Sequence, residues 1–508
     1  MRAYPIFFLY ALILLLASCS KDQGNYDYTE VNKLTILDTG GTSMSDLEFD
    51  ITGDDTIVVE AVAKGTLASF DPNTIQYTWL VGKDTIGKGP KLNMVGGLFK
   101  PGENKVSLYA RDPSTNLDYL HIFIVHANAT ITKGVVLLTQ DEQDNSILYL
   151  KSSRSPLSKW YRMTSLGINN EYPLGKHPIA VDLRGANRAY PSFTIVTRDG
   201  PNPVILVDLP TMLPYYSIKG EGAGINGGDF HPTYFHMGFS AQNGDSYVLD
   251  KGRVRYLKRG FLGPDVLLKE QKYDFGTQGI SYDGFYSMNI AGNFLMGYDK
   301  ISKRILFFES SKNKKFSFPN ISEEKSTEVL GDMEYVGSGM DMLSTGNSFL
   351  YGIVLRKGTE VHSYSTTYQR NSNRVYEFSK IKENATATIP NIDKALNLQL
   401  NKWTGFYYYA VGRTIYRFPF FSLAVQPYFT LPEDGSGDIV CWNFDKDESV
   451  ATHSNIGIAT YNPTSKEPKK GSYYHYEIKT DATGKPLTLV SKNLYELEKV
   501  VSISLGIR

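Results

Sequence analysis

Short alternating runs of apolar and polar residues dominate the chain, and Gly, Asn, Asp or Pro separates most runs from the next. Such alternation predicts β-strands with one buried face, joined by turns. Helical spacing of apolar residues is nearly absent, and residues 391–400 are the best, short, helical candidate. The pattern therefore predicts an all-β protein.

Residues 31–127 form the first predicted unit. Short strands around a single central tryptophan, Trp79, are typical of an immunoglobulin-like sandwich, here without its disulfide. We expect Trp79 to anchor the core rather than to form a ligand platform. The clearest predicted strands lie at residues 56–61, 76–81, 105–110 and 120–125.

Residues 133–508 repeat a strand, a short turn and a second strand. Units of roughly forty to fifty residues with this content are the signature of a β-propeller. We predict seven blades, with six or eight as alternatives. Because the ring must close, residues 487–507 are expected to lend a strand to the first blade. The clearest hairpins lie at residues 246–257, 293–308 and 406–418, and further units begin near Ile147, Phe193, Phe349 and Val450.

A glycine-aspartate pair followed by an apolar residue recurs where units begin. In a propeller, these links lie near the central channel, where carboxylates could accept hydrogen bonds from sugar hydroxyls or peptide amines. Alternatively, the aspartates brace turns by accepting local backbone amides. Trp403, Trp442 and His453 could add a stacking surface nearby or could pack in the core. The aspartates are Asp229, Asp332 and Asp438, with Asp341 in a variant of the pattern.

The first residues predict export and lipidation. Arg2 precedes an apolar run at residues 6–16, and Leu16-Ala17-Ser18-Cys19 matches a lipobox. A run of about eleven residues is too short to span a ~30 Å hydrocarbon core, so it is interpreted as a cleaved signal peptide. We predict a signal peptide at residues 1–18, lipid on Cys19 and a polar tether at 19–30. An ordinary signal peptide and an uncleaved anchor are the alternatives.

Composition removes several classes of function. Lysine plus arginine equals aspartate plus glutamate at 53 each, so no net field favours nucleic acid. There are two cysteines, and lipidation of Cys19 leaves only Cys441. A disulfide framework and a zinc site built on several thiolates are therefore excluded.

No common catalytic motif occurs: HExxH and GxSxG are both absent. Cys441 lies in an apolar segment that predicts an inert core thiol. His231 and His236 are the best metal candidates. Residues five apart on a strand point to opposite faces, so both could bind one ion only if the chain folds back. Residues 445–448 are acidic but lack the glycine of a calcium loop, which leaves calcium an open alternative.

The lipobox, the segment 23–28, Trp79 and the segment 108–112 together resemble the PKD-like family lipoproteins of Bacteroidetes, over residues 1–127. The resemblance implies an outer-membrane surface lipoprotein that partners a Sus-type TonB-dependent transporter and its lipoprotein lid. Ser20-Lys21-Asp22 matches part of that group's surface-export signal, and Gln23 interrupts the acidic run that would complete it.

The expected function is non-covalent capture of a nutrient, either an oligosaccharide or a peptide, as an accessory subunit of the import complex. No cofactor is expected beyond the lipid. One alternative is a propeller enzyme, either a glycoside hydrolase or lyase, or a peptidase. Another is a structural subunit that docks on the transporter without a ligand. These expectations rest on fold and family likeness rather than on a site.

Overall fold

The computed structural model describes residues 32–52, 56–95, 99, 102–128, 134–152, 160–166, 171–184, 192–208, 213–218, 230–237, 246–257, 281–289, 293–309, 325–342, 348–370, 376–401, 404–445, 455–478 and 486–506. These ranges contain strands and short 3-10 helices and no α-helix. The all-β prediction is thus confirmed for the part of the chain that the structure describes. Among those residues, no helix is long and apolar enough to cross a membrane.

The chain separates into two compact units. The first takes the described residues of Met1–Glu48, Val58–Asn93 and Lys105–Ile124, and the second takes those of Phe49–Ile57, Met94–Asn104 and Val125–Arg508.

The N-terminal strands are β1 (Leu34–Asp38), β2 (Glu48–Thr52), β3 (Thr56–Gly65), β4 (Gln76–Val81), β5 (Asp84–Lys88), β6 (Lys91–Val95), β7 (Gly102–Asp112) and β8 (Leu117–Asn128). One sheet has the order β1-β3-β6, and another contains β8-β7-β4-β5. Short 3-10 helices lie at Met44–Asp46 and Pro72–Thr74.

Trp79 lies at the centre of this N-terminal region. Its ring is fully buried and packs edge-on against Phe123, with the ring centroids 6.2 Å apart. Its indole N–H donates to the Gly89 carbonyl at 2.8 Å, so the one polar atom of the ring is satisfied. The prediction that Trp79 is a core residue is confirmed.

The later strands begin with β9 (Gly134–Gln140), β10 (Ser146–Ser152), β11 (Tyr161–Met163), β12 (Ser165–Leu166), β13 (Tyr172–Pro173), β14 (Lys176–Arg184), β15 (Ser192–Asp199), β16 (Val204–Asp208), β17 (Pro214–Ile218), β18 (Pro232–Met237), β19 (Ser246–Asp250), β20 (Arg253–Leu257), β21 (Tyr282–Asn289), β22 (Asn293–Asp299) and β23 (Arg304–Glu309). They form sheets in the orders β11-β10-β9-β37, β12-β13, β14-β15-β16-β17, β18-β19-β20 and β21-β22-β23.

The remaining strands are β24 (Glu334–Met342), β25 (Ser348–Lys357), β26 (Glu360–Arg370), β27 (Tyr376–Phe378), β28 (Lys382–Thr388), β29 (Leu396–Asn401), β30 (Phe406–Val411), β31 (Thr414–Pro419), β32 (Gln426–Thr430), β33 (Asp438–Phe444), β34 (Asn455–Tyr461), β35 (Gly471–Ile478), β36 (Pro486–Leu497) and β37 (Lys499–Gly506). One sheet runs β27-β26-β25-β24-β29-β30-β31-β32 with β28 on β26, and another runs β33-β34-β35-β36. The three predicted hairpins correspond to β19–β20, β22–β23 and β30–β31 and are confirmed.

The first strands of successive sheets contact one another in a closed circuit. Contacts join β14 to β18, β18 to β21, β21 to β24, β24 to β29 and β29 to β33, and β37 contacts both β33 and β14. Strand β37 also pairs antiparallel with β9, so the end of the chain completes the sheet that begins the array. The predicted closing strand is confirmed, and the arrangement is that of a β-propeller.

Parallel pairing of β24 with β29 joins two runs of antiparallel strands, β24–β27 and β29–β32, into one sheet. Gly337 pairs with Leu398, and a Cβ on Gly337 would lie only 2.6 Å from the Leu398 Cβ. The absence of a side chain at 337 therefore allows the two inner strands to approach within pairing distance.

The predicted helix at residues 391–400 is wrong. The segment makes one 3-10 turn, Ile392–Lys394, and continues as β29. Asn391 has φ +59°, which places a left-handed residue at the start of the segment. The apolar residues that follow repeat every second position, which is strand spacing, and Leu398 is buried.

Candidate functional site

The structure describes some of the predicted site residues and not others. Cys19, Asp229, Trp403 and His453 lie outside the described residues, and Asp341 is described only in its backbone, within β24. The predictions for these positions stay predictions.

Asp332 and Asp438 both lie where an inner strand begins. The Asp332 carboxylate is 87% exposed and pairs with Lys303, in the β22–β23 turn, at 3.0 Å. Asp438 is exposed and opens β33, where the Ile439 amide donates to the Gly412 carbonyl at 2.9 Å. Each aspartate is thus adjacent to the turn of the preceding sheet.

Trp442 lies in the core. Its ring is fully buried, its indole N–H donates to the Leu396 carbonyl at 3.1 Å, and it packs edge-on against Phe444 at 5.3 Å. Tyr407 is buried as well. The Trp442 ring thus takes the packing role that was weighed against a stacking surface.

His231 and His236 have different surroundings. His231 precedes β18, and its Nδ1 lies 2.8 Å from Asp199 Oδ1. His236 lies within β18 and packs edge-on against Phe285, with the ring centroids 6.1 Å apart. Among the described residues, no group of three or more His, Cys, Asp or Glu side chains is placed to hold a metal ion.

Asp199, the last residue of β15, is the centre of a charged cluster. Its Oδ1 faces His231 Nδ1, and its Oδ2 lies 3.0 Å from Arg198 Nε and 2.7 Å from His177 Nδ1. Burial raises the pKa of Asp199, but contacts with Arg198, His231 and His177 outweigh it and the net shift is downward. The carboxylate is therefore ionised at neutral pH.

His177 joins this cluster to the β9–β10 turn. Its backbone N–H donates to the Asp144 carbonyl at 2.9 Å, and its Nε2 lies 3.4 Å from Asp144 Oδ2. Asp144, His177, Asp199 and His231, which we name the His–Asp chain, thus connect the β9–β10 turn, β14, β15 and the start of β18 along one line of contacts.

Gly175 permits this close approach. A Cβ at position 175 would lie 2.0 Å from the Asp199 carbonyl oxygen, a distance that no side chain could occupy. The Gly175 carbonyl accepts the Ser146 amide at 3.0 Å. The segment before β14 therefore packs against the end of β15 and the start of β10 by backbone alone.

The His–Asp chain is accessible and chemically versatile. The side chains of His177, Asp199 and His231 are 33% to 45% exposed. Imidazole nitrogens can donate to or accept from hydroxyls and amides, and carboxylate oxygens can accept from hydroxyls, amides and amines. A carboxylate that orients an imidazole is also the arrangement used to position a general base.

A second network links the β30–β31 turn to the sheet β33–β36. Arg413 is 10% and Asp434 14% exposed, and they pair at 3.1 Å. Asp434 also accepts from Tyr474 Oη at 2.5 Å and from Lys492 Nζ at 2.8 Å, and Arg413 donates to the Gly437 carbonyl. Through these contacts the network braces the link that carries the Gly437-Asp438 pair.

The sequence did carry a signal for Asp199. Aspartate closes β15, β19 and β22 at Asp199, Asp250 and Asp299, each just before a turn. Asp250 Oδ1 accepts the His231 amide at 3.1 Å, and Asp299 Oδ1 accepts the Ser281 amide at 2.8 Å. Asp250 and Asp299 thus brace backbone amides, the role that was weighed for the glycine-aspartate pairs.

Comparisons with known proteins give structural likeness only. No protein-family model matches the chain, and a search of curated proteins finds no match. A Quinonprotein alcohol dehydrogenase-like protein from Bacteroides thetaiotaomicron has a TM-score of 0.43 and 10% identity, covering 91% of this chain and 97% of that one. The Nup133 β-propeller domain of Vanderwaltozyma polyspora has a TM-score of 0.32 and 9% identity, covering 84% and 94%. PorZ, a surface component of the type-IX secretion system of Porphyromonas gingivalis, has a TM-score of 0.28 and 11% identity, covering 74% and 43%. None of them assigns an activity to this chain.

Proposed function

We propose that this chain is an outer-membrane surface lipoprotein, anchored through Cys19, whose propeller captures a nutrient for a Sus-type import complex. The nutrient is an oligosaccharide or a peptide, and the partners are a TonB-dependent transporter and its lipoprotein lid. The N-terminal region serves as a PKD-like spacer, and the propeller has seven blades.

The observation that carries the binding role is the His–Asp chain. It places two carboxylates and two imidazoles, partly open to solvent, along the start of β14 and β18. Hydrogen-bonding groups that strands and their ends hold in place, rather than long loops, suit recognition of a polar ligand.

The circuit of inner strands supports the blade number. Seven strands complete it, namely β14, β18, β21, β24, β29, β33 and β37. Each of the first six is followed in sequence by strands that pair outward from it, and β37 completes the sheet of β9, β10 and β11. One strand for each blade at the centre gives seven blades.

The anchoring and the partners are tested together. The tagged full chain is purified from gently solubilised outer membranes and its co-purifying proteins are identified by mass spectrometry, with a Cys19→Ala chain as the matched control. Recovery of a TonB-dependent transporter and its lid with the native chain alone supports the import role. Recovery of neither with the native chain rejects a stable complex.

A propeller enzyme is the second candidate, favoured by the Asp199–His231 contact of 2.8 Å, which could orient an imidazole as a general base. The purified chain is assayed against glycan and peptide libraries, beside an Asp199→Asn variant. Turnover lost in the variant would support an enzyme, whereas saturable binding without turnover would support capture.

A further inference from the structure

Three large apolar side chains lie exposed on strands β7 and β8 of the N-terminal region. Tyr109 is 41% exposed, Leu120 50% and Ile122 41%. Successive residues of a strand point to opposite faces of the sheet. On each of these strands the alternate residues turn to the core, as the buried Leu108 and Phe123 show. The three exposed side chains therefore share the outward face of the sheet.

These side chains are also neighbours across the hairpin. Strands β7 and β8 are adjacent in the sheet and are joined by a short turn. Arg111 Nε lies 4.0 Å from Asp118 Oδ1, so positions 111 and 118 face each other on the outward side. Two residues further from the turn on each strand are Tyr109 and Leu120, and Ile122 follows on the same face. We name this patch of three side chains the apolar face.

The charged side chains around the apolar face balance one another. Glu103 and Lys105 are exposed on β7, and Arg111 pairs with Asp118. These four charges sum to zero, so this face carries no local charge that would select an anionic or a cationic surface. An apolar patch of neutral surroundings fits a lipid surface, where a tyrosine ring can lie among apolar groups while its hydroxyl stays in water.

The chain enters the N-terminal region beside the apolar face. Asn32 is buried, and its carbonyl accepts the Tyr119 hydroxyl at 3.2 Å. Tyr119 directly precedes Leu120. Residues 20–31 separate Asn32 from Cys19, and a chain of that length spans about 45 Å at most. A lipid on Cys19 would therefore keep the apolar face close to the membrane.

We infer that the apolar face rests on the lipid surface in which Cys19 is anchored. A lipid on one cysteine limits the distance of the N-terminal region from the membrane, whereas a second contact also fixes which side of that region faces the membrane. The inference rests on the proposed anchoring at Cys19. It is independent of the nutrient and of the transporter.

Hydroxyl-radical footprinting of the lipidated chain in phosphatidylcholine vesicles tests the contact, because mass spectrometry measures oxidation at single side chains. The reference is the same chain exported without lipid, with an ordinary signal peptide in place of residues 1–19. We expect the oxidation of Tyr109, Leu120 and Ile122 in vesicles to be about three- to tenfold lower than in the reference. Val58, which is 55% exposed on β3 in another sheet, is the internal control and should be unchanged.

A pair of double variants separates the contact from the anchoring. With Leu120→Ser and Ile122→Ser, the lipidated chain should still float with the vesicles, but Tyr109 should be oxidised as fast as in the reference. With Val58→Ser and Val62→Ser, the matched control on exposed positions of β3, Tyr109 should stay protected.

Three outcomes would overturn the contact. Flotation of the unsubstituted chain without protection of Tyr109 would reject the contact and leave the anchoring, whereas failure to float would reject both. Equal protection of Val58 and Tyr109 would show that the apolar face is not selected. Protection that appears only when the TonB-dependent transporter is added would assign the apolar face to a protein partner instead of lipid.

Discussion

Leu137 and Ile503 are direct cross-strand partners, although one lies near the start of the propeller sequence and the other at its end. Both side chains are buried. The pair belongs to the junction of β37 with β9, β14 and β33, at which the described residues close the circuit of inner strands.

Ile503→Ala should therefore destabilise the whole propeller. Removing a buried isoleucine side chain to its Cβ costs about 2–5 kcal/mol, and at this position the loss also weakens closure. The free energy of unfolding from denaturant titration measures it. Val490→Ala on β36, where the side chain is 53% exposed, is the matched control and should change little. Equal effects of the two substitutions would argue against closure by β37.

Asp434→Asn should lower stability and alter its pH dependence. Burial raises the pKa of Asp434, but hydrogen bonds from Lys492, Tyr474 and Ser436 outweigh it, and the net pKa lies well below the usual range. The carboxylate thus stabilises the fold above the unfolded pKa of ~3.9, and that contribution is lost as pH falls below it. The substitution leaves Arg413 and Lys492 without their shared anion, at a cost of about 3 kcal/mol.

Melting temperatures between pH 7 and pH 3 check this prediction. The melting temperature of the native chain should fall as the pH is lowered. Asp434→Asn should have a lower melting temperature at pH 7 and a smaller decrease toward pH 3. Asp332→Asn is the control, since its carboxylate is 87% exposed and pairs with a surface lysine. A curve for Asp434→Asn parallel to the native one would contradict the assigned role.

Gly175→Ala should disturb the His–Asp chain without touching its side chains. The added methyl group would meet the Asp199 carbonyl at 2.0 Å, so β14 or β15 must move. Overpacking of this kind costs about 1–3 kcal/mol. Denaturant titration measures the loss in the free energy of unfolding, and faster exchange of the Ser146 amide would show that the disturbance lies next to residue 175. Gly40→Ala is the control, because its methyl group would meet only the flexible Asp38 side chain, at 3.3 Å.

Thiol titration should find no reactive cysteine in the folded chain when Cys19 carries the proposed lipid. Cys441 is buried, and burial raises its pKa to about 12, so little thiolate forms at neutral pH. Lipidation would block Cys19. Ellman's reagent should detect no thiol in the native lipidated chain and one after unfolding in urea. A reactive native thiol would show that Cys19 is free or that β33 opens.

Much of the fold follows from the sequence because its strands alternate in a regular way. Hairpins such as β19–β20 and β30–β31 match their predicted ranges closely, since a two-residue period and a polar turn specify both strands and register. Residues 391–400 misled the prediction because a turn next to short alternating runs has few residues from which to read a period.

The candidate site could be predicted from the sequence less well than the fold. His231 was singled out for metal, yet its partner is Asp199, which is distant in sequence. His177 and Asp144 come from different hairpins, and backbone contacts such as the His177 amide to the Asp144 carbonyl bring them together. Local patterns identify strand ends, but contacts between sheets depend on blade packing, which no local pattern encodes.

Pairing of β9 with β37 has a consequence for biosynthesis. The first sheet keeps an open edge until β37 has been made, because β37 lies far along the sequence from β9, β10 and β11. A product that terminates early would keep that edge unpaired, and unpaired edges recruit other chains and proteases. Closure by β37 therefore makes the first sheet depend on a part of the chain that is distant in sequence, and a product lacking β37 would leave that sheet open to such contacts.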